Sequence, residues 1–579
     1  MLTVELTPPV SMELLTRYDF FELYELDGGG RFIMRELFGT LEDSVIADTL
    51  LNTPLMDEFG GLDAIDFGKF EKWRTIEKSC WINRCYFIIP LAKKAFVDQD
   101  KTLARRVLQI MLNFGRNYPA PDDLPAHWQR VTRRMTEDYN SKTAEAIAVD
   151  ETNVEYIWYD MQVAQRLISF MYAAFFIRDL LPAQTQELAE LSCLLKKHAR
   201  TIADQEALRT SELDNHQSLR AIALYWALPL LKNDADYSII HRRAFDLCCW
   251  HILNEFLAPS GALFENSPSY HAFVLWHARD FIAIANRRDE AIPPEVTTRF
   301  EAAKQALFAY RRPDGMALTI NDSYQYDASP LAESLGGIKS SCSAMQVLKP
   351  GGLAAGQLGD CYAAMDVSNF TGEFSHYHGG KNSVVVMWKK EAFIEECGCP
   401  SYDAEEFTSC RRSDWHTTLL VDNIGDTHAY GMYGFDRWPE LDYADSWQQN
   451  PDSSCSFSST LSSNNSSWQA IKWRRLLTLR TDGVQLLDTV ENGTSATHIY
   501  TLLINLAPGV EIESISPTRW QLKKCGYTCS MELTCGTAPR SVRIREIKNC
   551  QQRFPRKMQQ LQIEFSPSIA LQSTLTLKF

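Results

Sequence analysis

The sequence predicts a multidomain chain that is α first and β second, and three observations carry that prediction. Its 579 residues exceed the size at which one hydrophobic core keeps growing, so two or three domains are expected. From about residue 70 to 330, apolar residues recur at spacings of three and four, the period of helices that bury a face. From Val384 to the end, short alternating stretches are separated by tight turns, the mark of antiparallel strands.

The first 60 or so residues hold no sustained period and include Gly28-Gly29-Gly30, so 1–65 is read as an irregular N-terminal extension leaning on the helices. Residues 66–335 form the helical domain. Asp160 to Leu181 and Gln217 to Leu231 are its clearest helices, apolar on more than one side and so expected to be buried between neighbours. Short punctuation such as Ala258-Pro259-Ser260-Gly261 and Ile292-Pro293-Pro294 joins such elements, which suits stacked antiparallel helix pairs in a bundle or toroid. Residues 336–579 form the β domain. Arg474 to Arg480 and Val484 to Leu487 flank Thr481-Asp482-Gly483, a hairpin signal. Later stretches such as Thr497 to Asn505 and Leu561, Ile563, Phe565 alternate at short intervals, as in an antiparallel sandwich. The polar stretch Asn450 to Ser467 reads as a surface loop.

Composition narrows the function. A formal charge of −15 argues against nucleic acid as partner, because phosphate backbones are bound by basic surfaces. No window approaches the roughly 18 uninterrupted apolar residues of a membrane span, so no membrane partner is expected. The opening MLTVELTPPVSMELL lacks the basic start and apolar core of a secretory signal, so the chain is expected to be cytoplasmic. Fifteen scattered cysteines, with Cys248 and Cys249 adjacent, fit reduced thiols better than a disulfide framework.

Five stretches combine reactive groups with element boundaries. Trp81-Ile82-Asn83-Arg84 heads an apolar helix. Asp214-Asn215-His216 stands where the next helix begins, a place where Asn215 also suits a cap. In Phe264 to His271, Pro268 opens a helix with Tyr270 and His271 in its first turn. His376 and His378 alternate just before the strand-like Val384 to Trp388, which turns both imidazoles to one side. Arg411-Arg412 and His416 follow about one hairpin later. Chemistry is therefore expected to draw on both regions.

In that order, Trp-x-x-Asn-Arg, Asn-His, Glu-x-Ser-Pro-x-Tyr-His, His-x-His-x4-Ser and Arg-x4-His-x-Thr-x-x-Val-Asp, these motifs resemble the heparinase II/III-like polysaccharide lyases and their alginate-lyase relatives. The resemblance spans roughly Trp73 to Asn423 by motif and the rest by architecture. It implies an incomplete (α/α) toroid followed by an antiparallel β-sandwich. It also implies an enzyme that cleaves an anionic, uronate-containing polysaccharide or oligosaccharide, glycosaminoglycan-like or alginate-like, by β-elimination. Such a reaction needs the C5 carboxylate neutralised, the C5 proton removed and the departing O4 protonated. By resemblance Asn215 and His216 neutralise the carboxylate, an electrostatic role like that of an oxyanion hole. Tyr270 acts as acid, and in some relatives also as base, while His376 completes the acid/base pair.

The resemblance further implies a structural zinc on His378, Glu396 and His416. Two imidazoles and a carboxylate form a suitable set with water as fourth ligand. Glu396 stands where relatives usually have Asp, with Glu395 an equally available neighbour, and Gly380 stands where relatives usually carry Asp after the His-x-His pair. Asn83, Arg84, Arg411 and Arg412 are the expected substrate-binding polar groups, since guanidinium forks suit carboxylate and sulfate. Trp81 is expected beside them, with Trp158, Tyr159 and Trp415 as further surfaces for stacking on sugar faces. Two rival readings stand alongside. One is a glycoside hydrolase using a carboxylate pair such as Glu265 and Asp214, the other a non-catalytic carbohydrate-binding or capsule-assembly protein on the same scaffold.

Overall fold

A computed structural model describes residues 42–68, 82–140, 153–182, 185–336, 345–370, 376–399, 409–430, 434–549 and 556–579. Trp81 and Gly28 to Gly30 lie outside the described residues. By its internal contacts the described chain divides into two compact units. One takes 42–140, 153–255 and 273–297, the other 256–272 and 298–579.

The first unit is helical. Its central helix, Met161–Ile177, buries every residue except Ile168. It packs against Ile88–Asp98, Lys101–Asn117, Gln186–Ala207 and Asn215–Ala227. Such all-round burial explains why the stretch reads as apolar on more than one side. It also explains how a charge survives inside: Arg166 gives Nε to His198 Nε2 at 2.9 Å, Nη1 to Asn83 O at 2.8 Å and Nη2 to Ile157 O at 2.8 Å. A buried guanidinium is tolerable only when its donors are used in this way. Asp100, Thr185 and Asp214 cap the helices that follow them by accepting backbone N–H bonds.

One departure falls in the expected irregular extension. Asp43–Asn52 is an α-helix followed by the 3-10 turn Pro54–Phe59. Ile46, Ala47 and Leu50 are buried on one face, and Asp43 pairs with Lys93 at 3.2 Å. Ten residues are too few to announce a helix by period alone, and its stability comes from packing on Ile88–Asp98. Among the described residues no helix is long and apolar enough to cross a membrane, and the described cysteines form no disulfides.

The second unit is built on two nine-stranded antiparallel sheets that share one core. The first runs in the spatial order Gln346–Leu348, Leu353–Leu358, Cys361–Asp366, Val384–Trp388, Glu391–Ile394, Tyr500–Leu506, Arg556–Phe565, Pro539–Asn549, with Leu419–Val421 also on Tyr500–Leu506. The second centres on Cys455–Ser463, Ile471–Arg480, Gly483–Asn492 and Leu571–Lys578. Inward residues such as Val385, Trp473, Leu486 and Leu561 fill the space between; Lys472 and Arg474 on either side of Trp473 face out, whereas Val384 to Met387 are all buried. The expected hairpin forms with Arg480 opposite Gly483, leaving Thr481 and Asp482 as its two-residue turn.

The polar stretch expected as a surface loop is corrected. Cys455–Ser463 is a full strand between Pro439–Tyr443, Gln448–Gln449 and Ile471–Arg480. Phe457, Ser459 and Leu461 are buried on one side, while the alternating Ser and Thr residues are only partly so. The alternation was present, but two apolar side chains among many hydroxyls are a weak signal.

Candidate functional site

In the second unit a short helix start, a loop and a strand approach converge on one group of side chains. Pro268–Arg287 is preceded by Ser267, whose hydroxyl accepts from Tyr270 N at 3.3 Å and donates to Asp322 O at 3.0 Å. One serine thus ties the first turn carrying Tyr270 to the loop carrying Asp322. The Asp322 carboxylate in turn holds both members of the alternating pair, with His376 Nδ1 at 2.8 Å from Oδ2 and His378 Nε2 at 2.5 Å from Oδ1. The Tyr270 and His376 rings stack at 3.5 Å between centroids, 14° apart. Glu265 Oε2 lies 3.7 Å from His376 Nε2.

The loop is locked from the other side. Lys381 is fully buried and reaches Asn321 Oδ1 and Asp366 Oδ2, each at 2.7 Å. Asn321 Oδ1 also accepts His378 N at 3.0 Å, and its residue sits at φ 54°, a left-handed conformation that Asn tolerates. Burial alone would raise the Asp322 carboxyl. The hydrogen bonds from His376 and His378 outweigh it and hold the group well below the usual carboxylate range. Burial pushes His378 down to about 4, although Asp322 pulls the other way. A neutral His378 that donates Nε2–H to Asp322 keeps an unprotonated Nδ1, and that buried atom has no hydrogen-bond partner.

His416 lies against His378, with ring centroids 5.5 Å apart. Its Nδ1 contacts Glu396 Oε2 and its Nε2 meets Cys410 O at 2.8 Å. Between the two adjacent acids the geometry chooses Glu396, because Glu395 is paired with Arg312. As they stand, no three His, Cys, Asp or Glu side chains among the described residues form a metal-holding group. The orphaned Nδ1 of His378 beside the His416–Glu396 pair is nevertheless the chemistry a structural ion would use, with Asp322 as the carboxylate behind the ligating histidine. Gly380 occupies a place with no room for a side chain. It adopts φ 76°, its N–H is held by Asp426 Oδ1 at 2.7 Å, and an added Cβ would stand 2.4 Å from His416 Cβ.

The first unit holds a second cluster. Asp214, not Asn215, caps the helix Asn215–Ala227, accepting from His216 N at 2.9 Å. Asn215 is therefore the first helical residue and is buried, and the His216 ring is 27% exposed. His216 Nδ1 lies 2.5 Å from Asp160 Oδ2, and Arg220 Nη1 holds Asp160 Oδ1. Arg220 also gives Nε to Glu206 Oε1 at 2.5 Å.

The expected substrate-binding groups are distributed differently. Arg84 is buried, with Nε on Gln162 Oε1 at 2.8 Å, so its fork is turned inward as folded. Asn83 is fully buried, yet both atoms of its side-chain amide lack a hydrogen-bond partner. Arg411 is buried with its guanidinium 4.4 Å from the centre of the Phe435 ring. Arg412 is exposed and forms a two-pronged pair with Asp414 at 3.0 and 2.7 Å. Trp158 and Tyr159 are core residues, Trp158 donating to Tyr118 O at 2.8 Å and Tyr159 packing on Trp128.

Sequence reading missed Asp322, Asp160 and Asp426. None sits in a local motif with its partner: Asp322 is 54 and 56 residues from the histidines it holds, and Asp160 is 56 from His216. Tyr270 was expected with the helical half, yet it shares its compact unit with His376.

Comparison with known proteins supplies the wider setting. Residues 343–564 match the family model of the heparinase II/III-like C-terminal domain. No curated protein sequence matches the chain. A solved heparinase III is 14% identical with a TM-score of 0.71, over 99% of this chain and 94% of that one. A second heparinase III is 15% identical with a TM-score of 0.63, over 93% and 84%. A heparan sulfate lyase from Pedobacter heparinus is 15% identical with a TM-score of 0.58, over 90% and 79%. At such identities the likeness establishes the fold: an (α/α) toroid region followed by an antiparallel β-sandwich.

Proposed function

We propose that this chain, which belongs to the heparinase II/III-like family through its C-terminal domain, is a polysaccharide lyase that cleaves a uronate-containing polysaccharide or oligosaccharide by β-elimination. The observation that carries the reading is the Tyr270–His376 stack at 3.5 Å, with His376 oriented through Nδ1 by Asp322. A phenol and an imidazole in contact are a matched acid/base pair, and a carboxylate on the far nitrogen is the usual means of fixing which imidazole nitrogen works.

The steps follow from the residues. A base of this pair takes the proton from C5 of the uronate. The electrons of that C–H bond form the C4=C5 double bond as the C4–O4 bond breaks, and O4 leaves with a proton from the acid. Asn215 and His216 donate to the uronate carboxylate and stabilise the enolate-like intermediate, where negative charge builds up. The glycosaminoglycan-like or alginate-like polymers are the substrate class this chemistry fits. Asn83, whose buried amide has no internal partner, suits a bound water or sugar hydroxyl, since such a group costs about 1–3 kcal/mol when left unsatisfied.

The hydrolase alternative draws less support. Of its suggested carboxylates, Asp214 is occupied as a helix cap. The deciding experiment is a screen of uronate polymers and oligosaccharides followed in the ultraviolet. Growth of the absorbance of an unsaturated uronate is expected, and new reducing ends without it would refute elimination. Tyr270→Phe and His376→Ala are each expected to lower kcat by about 10²–10⁴-fold while substrate binding persists. Full activity in either would remove that residue from the pair.

A structural zinc on His378, Glu396 and His416 is part of the proposal. When bound it would cross-link the loop segments carrying these residues, which flank the strands Val384–Trp388, Glu391–Ile394 and Leu419–Val421. Elemental analysis of purified protein is expected to find about one zinc per chain, and a metal-free protein whose melting temperature is insensitive to chelator would exclude it.

A further inference from the structure

Asp160 is held in a conformation its sequence position does not explain. Its backbone lies at φ 54°, ψ −141°, a region non-glycine residues rarely enter and one that persists only when the surroundings impose it. It also occupies the N-cap position of Met161–Ile177, yet its side chain makes no cap hydrogen bond. An aspartate at that position ordinarily turns back to the first helical N–H groups. Here the carboxylate is turned away and divided, Oδ1 on Arg220 Nη1 and Oδ2 on His216 Nδ1.

The arrangement has a buried end and an open end. Arg220 and Glu206 are fully buried, and Glu206 Oε2 accepts from Gln217 Nε2 at 2.8 Å, so the inner members are fixed by charge-assisted bonds. His216 is the member that reaches solvent. His216 and Arg220 hold the Asp160 carboxyl well below the usual carboxylate range, against the opposing pull of burial.

We propose that Asp160 is the positioning residue for His216: anchored by Arg220, it accepts Nδ1–H and so presents Nε2 to an anionic substrate. The catalytic part of this inference rests on the lyase reading of Asn215 and His216. With Nδ1–H committed to Asp160, Nε2 can donate to a substrate carboxylate only from the imidazolium. The group facing the enolate-like intermediate is then a cation whose charge Asp160 compensates, and such charge-assisted bonds are about twice as strong as neutral ones.

Asp160→Asn tests this sharply because Arg220 is a donor only. It selects the amide oxygen for itself, which turns the amide NH₂ toward His216 and obliges Nδ1 to accept. The neutral ring is therefore expected to change from the Nδ1–H to the Nε2–H tautomer. This is read from ¹⁵N shifts of the full-length protein labelled at histidine, at a pH where the ring is neutral, with His216→Gln to assign the signal. Asp160→Ala, which removes the acceptor outright, serves as a second variant should the first not fold. In the uronate assay kcat is expected to fall about a hundredfold in Asp160→Asn, with KM changing less than kcat. An unchanged tautomer, or a changed tautomer with undiminished turnover, overturns the proposal. A changed tautomer in a protein that yields no unsaturated product from any uronate polymer removes the lyase reading and leaves the orientation of His216 by Asp160 standing.

Discussion

Gly380 illustrates what a single residue decides. At φ 76° with a prospective Cβ 2.4 Å from His416 Cβ, the position excludes a side chain on two counts, backbone strain and overlap. Asp426 supplies a carboxylate to this loop from elsewhere in the chain, holding Gly380 N at 2.7 Å and Lys381 N at 2.9 Å. Gly380→Asp is therefore expected to lower stability by about 1–3 kcal/mol, read from the denaturation midpoint. An unchanged midpoint would mean that the loop yields. The histidines of this loop were legible because a closely spaced His-x-His pair is a local signal, although the pair precedes the strand Val384–Trp388 and does not lie on it. Asp322 and Asp426 were not, because nothing near them in sequence names the groups they hold.

At the scale of the element, the helix Asn215–Ala227 owes its start to Asp214. The cap also fixes His216, whose backbone N–H it accepts at 2.9 Å. Asp214→Ala is expected to cost about 1 kcal/mol and to lower lyase turnover along with the melting temperature. Turnover retained in full would separate the cap from the site. The cap type was legible from Asp-Asn-His, but which residue did the capping was not, since Asp and Asn serve equally well. Strand Cys455–Ser463 and helix Asp43–Asn52 failed in the sequence reading for a shared reason. The strand has few apolar side chains and the helix only ten residues, and each becomes regular because neighbouring elements complete its hydrogen bonds or cover its face.

For the molecule as a whole, buried neutral histidines in both units set a pH dependence. Burial pushes His271 down to about 4 and His277 down to about 3, and drives His198 well below the usual imidazole range. The unfolded chain takes up protons at these rings from about pH 6.5 downward, and the folded chain does not. Stability is thus full above that pH and is lost as pH falls toward the folded values. Each ring contributes a slope of up to about 1.4 kcal/mol per pH unit within its window. Melting temperatures measured from pH 7.5 to 4.5 are expected to fall steadily, and a flat profile would mean these rings are not held neutral.

Helical then β order, the toroid-plus-sandwich class and the identity of Asn215, His216, Tyr270 and His376 as candidates were all determined by the sequence. Each rests on period, turn chemistry or local motif, and these act between residues a few positions apart. Only the tertiary structure decided that Tyr270 stacks on His376, that Glu396 and not Glu395 meets His416, that Arg84 and Arg411 face inward, and that Asp322 and Asp160 stand behind the histidines. Those outcomes are contacts between residues many positions apart. A buried carboxylate finds its imidazole through the packing of whole elements, which no local pattern encodes.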